Sequence, residues 1–344
     1  MRVRPLSQEA YLRLIRTARR QEPATLWIHG AQVLNVYTRE WLSVHVVLSG
    51  ERIAYVGEAK PLVDDHTVIV DGSGYWLVPG YIEPHAHPFI WYSPDSLSDY
   101  ALATGTTTLV SDTLILTASL PHEQVESILN RLSEHPVKQF FWARLDPQIR
   151  QSVPNEAFSK AGLARLLEHP LVLQGGELTD WTGFLEENED ILFGMKHSRD
   201  RGKKIEGHHP GASANTLAVA AAGGVTACHE SIVAEEVLHR LRMGMYATLR
   251  HSSIRPDLPD LIYGMQRLGI PFSSRLMFTS DGTTPPTLRH GLTDFLIRTA
   301  IDAGLSPADA YTIASLNPAH YYGLDAEIGG IAPGRIADIL FLRS

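Results

Sequence analysis

This 344-residue chain has a single cysteine, no long apolar run and no excess of basic charge, and each of these features excludes a class of protein. Cys228 is the single cysteine, so the chain has neither an internal disulfide framework nor a cysteine-rich zinc module. No apolar run approaches the ~18 residues that a membrane-spanning helix needs, and the N-terminus lacks the apolar core of a signal peptide. Lys and Arg number 30 against 38 Asp and Glu, and a net charge of −8 argues against a protein that coats nucleic acid. We therefore expect a cytoplasmic protein without a membrane or nucleic-acid partner.

Histidine, in contrast, is abundant. The chain has 16 histidines, and the main special uses of this side chain are metal binding and proton transfer. Hydrophobic residues make up 44% of the chain and charged residues 20%, so a sizeable buried core is expected. The positions of the histidines relative to the predicted elements therefore decide what they indicate about function.

Short stretches rich in Val, Ile, Leu and Trp lie near both ends of the sequence, at 25–36, 43–56, 66–70 and 337–342. They predict one small β-sandwich domain built from both chain ends, over 24–76 and 327–344. Residues 1–23 predict a separate N-terminal helix, basic and amphipathic, with Ser7 as its N-cap. A surface helix packed on its own domain is the favoured interpretation, and a transit or membrane-surface helix is the alternative.

Between these ends, short apolar runs alternate with helical stretches, which is typical of repeated βα units and a parallel sheet. The predicted strands are 77–83, 106–112, 137–145, 170–176, 203–207, 224–228, 246–250 and 275–280. The predicted helices are 95–104, 121–134, 155–168, 186–201, 213–222, 233–243, 257–268, 289–304 and 306–315. Eight such units predict an α/β fold, a (β/α)8 TIM-like barrel over 77–326. An open doubly wound sheet is the alternative, but its Gly-rich turn after the first strand is missing here.

Potential metal ligands follow five of these eight strands, at the end of a barrel where active sites lie. His85 and His87 end the first strand and point to the same side, because side chains alternate along a strand. The other strand-end donors are Glu177, His208 and His209, His229 and Glu230, and Asp281. Nitrogen and oxygen donors in this joint pattern predict a metal site. Taken singly, some have simpler interpretations: Glu177 as a helix cap, His208 or His209 as a core histidine, and Asp281 as a turn residue.

Several longer motifs resemble those of the amidohydrolase superfamily over nearly the whole chain. They are Pro-Gly-Tyr-Ile-Glu-Pro-His-Ala-His at 79–87, Ser-Asp at 280–281, Asn-Pro-Ala at 317–319 and Ala-Pro-Gly-Arg-Ile-Ala-Asp at 332–338. Within that superfamily, Glu-Gly-His-His-Pro-Gly at 206–211, Cys-His-Glu-Ser at 228–231 and Leu-Arg-His-Ser-Ser at 249–253 are most similar to bacterial adenine deaminases.

The resemblance implies a centre of two divalent metal ions: manganese, iron or zinc. His85, His87 and Asp281 would hold one ion, His208 and His229 the other, and Glu177 would bridge them. The implied activity is metal-dependent hydrolytic deamination, in which adenine and water give hypoxanthine and ammonia through a metal-bound hydroxide. Asp281 would take the proton of the water and pass it on. Glu230 would relay a proton to the ring, with a helix-start carboxylate for 233–243 as its alternative role.

The chain departs from the family pattern beside the predicted site. Arg250-His251-Ser252-Ser253 stands where typical members have Arg-Glu-Gly-Ser, and Gly282 stands where a second Asp is typical. These changes make Arg250, His251 and Ser253 candidate substrate contacts, while Arg250 is equally a candidate structural ion-pair partner. The ligand set itself is untouched.

His209 and His290 also fall near the predicted barrel mouth. The competing hypotheses are another amidohydrolase that acts on a cyclic amide or related aminopurine, and a non-catalytic metal-binding barrel. The expected partner is a small-molecule purine base, and homo-oligomers through the outer helices are common in such enzymes.

Overall fold

The computed structural model describes residues 3, 5–148, 155–271 and 273–343. Contacts between residues divide them into two compact units, one of residues 82–305 and one of residues 3–81 with 306–343. The second unit is therefore larger than the predicted 24–76 and 327–344: it also takes in the N-terminal helix and the segment 306–326. The exact domain boundaries of the sequence analysis stay a prediction.

The described strands are, in chain order, β1 (Leu26–His29), β2 (Gln32–Asn35), β3 (Glu40–Ser43), β4 (His45–Ser49), β5 (Arg52–Gly57), β6 (Val68–Asp71), β7 (Tyr75–Pro79), β8 (Tyr81–Ala86), β9 (Thr106–Asp112), β10 (Lys138–Ala143), β11 (Val172–Leu178), β12 (Lys204–Gly207), β13 (Ala227–Cys228), β14 (Tyr246–Arg250), β15 (Leu276–Thr279) and β16 (Ile339–Arg343).

The described helices are α1 (Gln8–Ala18), α2 (Pro88–Trp91), α3 (Pro94–Ala103), α4 (Leu114–Ser119), α5 (His122–Leu132), α6 (Lys160–Glu168), α7 (Trp181–Leu185), α8 (Glu189–Asp200), α9 (Ala214–Gly223), α10 (Ala234–Arg242), α11 (Leu258–Arg267), α12 (Pro285–Leu288), α13 (Thr293–Asp302), α14 (Pro307–Ala314) and α15 (Leu316–Tyr322). None of the helices in this described part of the chain is both long and apolar enough to span a membrane.

Two four-stranded sheets, ordered β5-β4-β1-β6 and β16-β7-β2-β3, form the small β-domain. Side chains of both sheets share one core, as in a sandwich, and β16 joins strands from the other end of the chain. Helix α1 begins after its N-cap Ser7, whose Oγ accepts from the Ala10 amide, and it packs against β4 and β5. The predicted split β-sandwich is therefore confirmed.

Eight strands in the order β15-β14-β13-β12-β11-β10-β9-β8 form the barrel of the other unit, and each neighbouring pair from β9 to β15 is parallel. A parallel bridge between Ala86 and Asp281 brings the two ends of the sheet together. β9 is buried at all seven positions, because parallel strands in a barrel are covered on both faces. The predicted TIM-like barrel is confirmed, and all eight strands lie close to their predicted positions.

The first barrel strand differs from the prediction in its start. The predicted strand 77–83 is divided between β7, which pairs with β16 and β2 in the small domain, and β8, which begins the barrel. Gly80 separates the two strands, and its amide donates to the Asp338 carbonyl instead of to a barrel strand. Pro79 and Gly80 thus end one strand before the next begins.

Candidate metal centre

The six predicted ligands lie together at the carboxyl ends of the barrel strands. They are His85 in β8, His87 after it, Glu177 in β11, His208 after β12, His229 after β13 and Asp281 after β15. In the described part of the chain, three groups of donor atoms each lie within 4.8 Å: His85, Glu177 and His229; His85, His87 and Asp281; and His208, His229 and Glu230. The fold therefore assembles one continuous cluster from strand ends that are far apart in sequence.

One end of the cluster is made by His85, His87 and Asp281. The Nε2 atoms of the two histidines are 3.0 Å apart. Oδ1 of Asp281 lies 3.1 Å from Nε2 of His87 and 3.6 Å from Nε2 of His85. Asp281 has φ +50, a backbone conformation that residues other than glycine rarely adopt and that occurs often at functional sites. These three side chains thus aim their donor atoms at one point.

Glu177 lies between this group and the other two histidines. Its Oε1 is 2.5 Å from Nδ1 of His208 and 3.4 Å from Nε2 of His229. Its Oε2 is 3.9 Å from Nε2 of both His85 and His87. Each oxygen therefore faces a different histidine pair, which is the arrangement expected of a bridging carboxylate.

Glu230 belongs to the second donor group as well. Its Oε1 lies 3.6 Å from Nδ1 of His208 and 3.4 Å from Nε2 of His229. Nη1 of Arg250 donates to this same oxygen at 2.5 Å, and Nη1 of Arg255 donates to Oε2 at 2.6 Å. Burial raises the pKa of Glu230, but the two histidines and the two guanidinium groups lower it below its usual value. The carboxyl group is thus held in its charged form.

Two further carboxylates contact the histidines from outside the cluster. Glu206 accepts from Nδ1 of His85 at 2.8 Å and from Nδ1 of His229 at 3.1 Å. Asp112 accepts from Nδ1 of His87 at 3.0 Å. An ionised carboxylate only accepts hydrogen bonds, so these contacts place the imidazole proton on Nδ1. In a neutral ring, Nε2 then carries a lone pair that points into the cluster.

This arrangement fits cations. The lone pairs on Nε2 of His85 and His87 would face each other across 3.0 Å, with Asp281 beside them, and a positive ion between them removes that repulsion. Burial lowers the pKa of both His85 and His87, yet Glu206 and Asp281 raise that of His85 to about 9, and Asp112 and Asp281 raise that of His87 to about 9. The field of the site therefore favours positive charge. The donor set is nitrogen and oxygen, as divalent first-row metals accept.

Arg144 connects the outer carboxylate Asp112 to the central Glu177. Its Nη2 donates to Oδ2 of Asp112 at 2.7 Å and lies 2.8 Å from Oε2 of Glu177. Burial raises the pKa of both carboxyl groups, but the guanidinium group and the nearby histidines hold both well below their usual range. Arg144 thus keeps two buried carboxylates ionised beside the histidines.

A cavity of about 340 Å³ opens over the cluster. His87, Glu177, His208 and Asp281 form its floor together with Arg144, Arg250 and Arg255, and Ser252 and Gln148 line it as well. Exposed apolar side chains also line it: Ile90, Trp91, Ile115 and Ile254. Polar groups converging at the bottom of a partly apolar cavity are typical of a small-molecule site.

The three predicted substrate contacts have different positions. Arg250 lines the cavity and also donates to Oδ2 of Asp281 at 2.8 Å, so both of its proposed roles remain open to it. His251 and Ser253 are not among the described residues that line the cavity. The His251 ring packs edge-on against Phe295 with 5.3 Å between centroids, and burial lowers its pKa. Their roles as substrate contacts stay predictions.

The remaining predicted mouth histidines lie away from the cluster. His209 is buried with its ring 6.3 Å from that of Trp181, and His290 is exposed with its ring 5.5 Å from that of Phe295. Cys228, the residue before His229, is a buried thiol that packs in a cluster of apolar side chains.

Asp112, Arg144, Glu206 and Arg255 were not predicted from the sequence. Asp112 ends β9 and Arg144 follows β10, so the strand-end rule that located the histidines also applies to these two strands. Glu206 lies two residues before His208, so the alternation of a strand gives both side chains the same direction. Arg255 lies in the loop before α11, where the sequence carries no such signal.

Comparison with known proteins gives consistent matches. The profile of the amidohydrolase family matches residues 76–343. Two proteins named "Putative adenine deaminase" are similar to this chain: one of Halalkalibacterium halodurans is 44% identical over 319 residues, and one of Bacillus subtilis is 38% identical over 319 residues. These alignments cover 92% and 93% of the chain and 55% of each relative. The chain thus spans about half the length of the curated relatives it matches.

Solved structures share the fold at low sequence identity. Dihydropyrimidinase from Brevibacillus agri has a TM-score of 0.68 and 14% identity, and the comparison covers 92% of this chain and 85% of that one. A β-aspartyl dipeptidase from Fervidobacterium islandicum has a TM-score of 0.67 and 18% identity, with 93% and 92% covered. At these identities the likeness concerns architecture alone.

Proposed function

This chain belongs to the amidohydrolase family, and from that premise we propose that it is a hydrolytic deaminase that converts adenine and water to hypoxanthine and ammonia. The observation that carries the proposal is the cluster of six donors at the strand ends, in which the two oxygens of Glu177 face different histidine pairs beside an open cavity. Relatives at 38–44% identity that are named for adenine deamination support an aminopurine as the substrate class. A small-molecule substrate and a cytoplasmic location are part of the same proposal.

Two divalent cations, manganese, iron or zinc, would bind among these donors. His85, His87 and Asp281 would hold one, and His208 and His229 would hold the other, with Glu177 shared between them. The distances also admit Glu230 at the second position. When bound, such ions supply a water molecule of lowered pKa and a local positive charge at the bottom of the cavity.

Asp281 is positioned to move the proton in this reaction. Its Oδ1 faces the two histidines, while its Oδ2 accepts from Arg250 at the cavity wall. As the C–O bond forms at purine C6, the Asp281 carboxylate takes a proton from the water. It then gives that proton to the exocyclic nitrogen as the C6–N bond breaks, so that ammonia leaves. Atoms and charge balance over the two transfers.

Glu230 would relay the second proton of the water from the oxygen bound at C6 to ring nitrogen N1, which gives hypoxanthine in its oxo form. Arg250 and Arg255 hold its two oxygens in fixed positions, and the charged form that they favour is the form that accepts a proton. Arg250 donates from Nη1 to both Glu230 and Asp281, so it also fixes these two proposed proton carriers relative to each other.

Turnover of adenine by the metal-loaded chain is the direct test. The purified protein is reconstituted with Mn²⁺, incubated with adenine and analysed for ammonia and hypoxanthine, with a panel of cyclic amides in parallel. We expect equal amounts of the two products from adenine. Turnover of a cyclic amide without turnover of adenine would overturn the substrate assignment in favour of another amidohydrolase reaction.

The role of Asp281 is tested by the Asp281→Asn variant. The amide keeps the shape of the side chain and one oxygen but cannot accept and return a proton, so we expect the rate constant kcat to fall by at least 10²-fold. Most of the metal should stay bound, because His85 and His87 remain. Elemental analysis after gel filtration measures the metal, and kcat near the wild-type value with metal bound would contradict the proton-transfer role.

A further inference from the structure

Glu206 has a position that none of the proposed catalytic steps uses. It is 3% exposed, lies in β12 below the donor cluster, and is not among the described residues that line the cavity. A residue in this place cannot contact a substrate in the cavity, so any effect on the reaction must pass through the groups it does contact.

Those groups are one histidine from each half of the cluster. Glu206 Oε2 accepts from Nδ1 of His85 at 2.8 Å, and Oε1 accepts from Nδ1 of His229 at 3.1 Å. Gln174 Nε2 donates to Oε2 at 3.0 Å. β12 neighbours β13, which precedes His229, but β8 lies at the far end of the sheet order. The side chain therefore links a neighbouring strand to a strand on the opposite side of the barrel.

The chemistry of the carboxylate fixes both rings at once. Both oxygens are acceptors, so both imidazoles donate from Nδ1 and keep their Nε2 lone pairs for the cluster. Asp112, in contrast, contacts Nδ1 of His87 alone among the cluster histidines. Of the two described carboxylates that contact the histidines from outside the cluster, only Glu206 orients a ligand in both halves.

We propose that Glu206 is a positioning residue that couples the two metal sites by holding one histidine ligand of each in the ligating tautomer. The inference rests on the proposed function for the presence of two ions, and it concerns how they are held rather than what is deaminated. Substitution of a carboxylate that orients a metal ligand commonly lowers metal affinity by 10–100-fold. The role of Glu206 can therefore be measured by metal binding, without any substrate.

The Glu206→Gln variant separates the two halves. A glutamine side chain offers one acceptor oxygen and one donor NH₂ group, so it can accept from only one of the two imidazoles. The other ring must turn its lone pair toward the amide and place its proton on Nε2, where it blocks ligation. We expect the metal content to fall from two Mn²⁺ per chain to about one, and the affinity of the weaker site to fall by 10–100-fold.

Two matched variants serve as controls. Glu83→Gln changes an equally buried carboxyl in the same isosteric way, but Glu83 contacts Thr279, the Ser280 amide and the His85 amide and no imidazole ring. It should retain two ions. Glu206→Asp keeps both acceptor oxygens, so it should bind more metal than Glu206→Gln. If Glu206 acted only through side-chain packing, the shorter aspartate would instead bind less metal than the glutamine.

Calorimetric titration with MnCl₂ and elemental analysis of the same samples give the result. Two ions in wild type and about one in Glu206→Gln support the proposal. Two ions of unchanged affinity in both proteins overturn the role of Glu206 and leave the proposed deaminase intact. Fewer than two ions in wild type overturn the two-ion centre and with it the coupling, while turnover of adenine by the same sample tests the deaminase separately.

Discussion

Arg144 is the single residue on which the charge balance of the centre depends most. Its guanidinium group is 1% exposed and contacts two buried carboxylates, Asp112 and Glu177. Taking one partner out of a buried ion pair leaves an uncompensated charge, which costs far more than the pair contributes when complete. Arg144 holds both Asp112, which accepts from His87, and the candidate bridging carboxylate Glu177, so it is also a stability determinant.

We predict that Arg144→Met lowers the free energy of unfolding of the metal-free protein by about 3–5 kcal/mol. Urea unfolding followed by circular dichroism measures it. The double variant Arg144→Met, Asp112→Asn removes one of the stranded charges and should regain part of the loss. Arg165→Met provides the contrast, since this exposed residue pairs with Glu123 and Glu126 and such pairs contribute only ~0–1 kcal/mol. Equal losses in Arg144→Met and Arg165→Met would contradict the prediction.

At the scale of elements, β12 carries the tightest packing near the centre. An added Cβ at Gly207 would lie 2.0 Å from Cε1 and 2.2 Å from Nδ1 of the His209 ring. Position 207 requires glycine because the imidazole ring of His209 lies directly against the strand backbone there. The φ angle of Gly207 is outside the left-handed region, so backbone conformation is not the reason. His209 follows the candidate ligand His208, so displacement of this ring moves the end of the strand.

Gly207→Ala should therefore affect both stability and metal binding. Overpacking of this kind typically costs 1–3 kcal/mol, and we expect a loss of about this size in the free energy of unfolding together with weaker Mn²⁺ binding at the His208 side. A double-mutant cycle with His209→Ala, read by thermal unfolding and calorimetric titration, checks the cause. Gly207→Ala should lower the free energy of unfolding less in the His209→Ala background, where the ring is absent, than in wild type. An equal loss in both backgrounds would show that the His209 ring is not the obstacle.

The elements also show how far sequence patterns reach. The predicted strands 106–112 and 246–250 coincide with β9 and β14, because buried parallel strands appear as bounded runs of β-branched and apolar residues. Of the predicted strand 224–228, only Ala227 and Cys228 pair as a strand. Backbone pairing defines where a short barrel strand ends, and composition does not encode that pairing.

The strand-end rule located the six donors, but it assigns no partner to any of them. Which carboxylate meets which imidazole, as Glu206 meets His85, depends on side chains that cross the barrel.

At the scale of the whole molecule, the centre ties distant parts of one unit together. All six candidate ligands belong to the unit of residues 82–305, and they come from the first, fourth, fifth, sixth and eighth barrel strands. An unfolded chain cannot bring donors from positions 85 to 281 to one point. Metal ions that bind these donors in the folded state would therefore stabilise the complete barrel, including helices that contact no ion.

This linkage predicts a large thermal effect of metal removal. A ligand that binds only the folded state stabilises it by RT ln(1 + [L]/Kd), about 2.7 kcal/mol per site at a hundredfold excess over Kd. Two sites then raise the melting temperature of a barrel of this size by ~10–20 °C. Scanning calorimetry of the chelated protein and of the Mn²⁺-loaded protein measures the shift.

The double variant His87→Ala, His229→Ala is the control, because it removes one candidate ligand from each site. In this variant the added metal should shift the transition by only a few degrees. If calorimetry resolves two transitions, the one that moves should belong to the barrel unit. A melting temperature that Mn²⁺ leaves unchanged in wild type would contradict ion binding at these strand ends, because no site of useful affinity can escape this linkage.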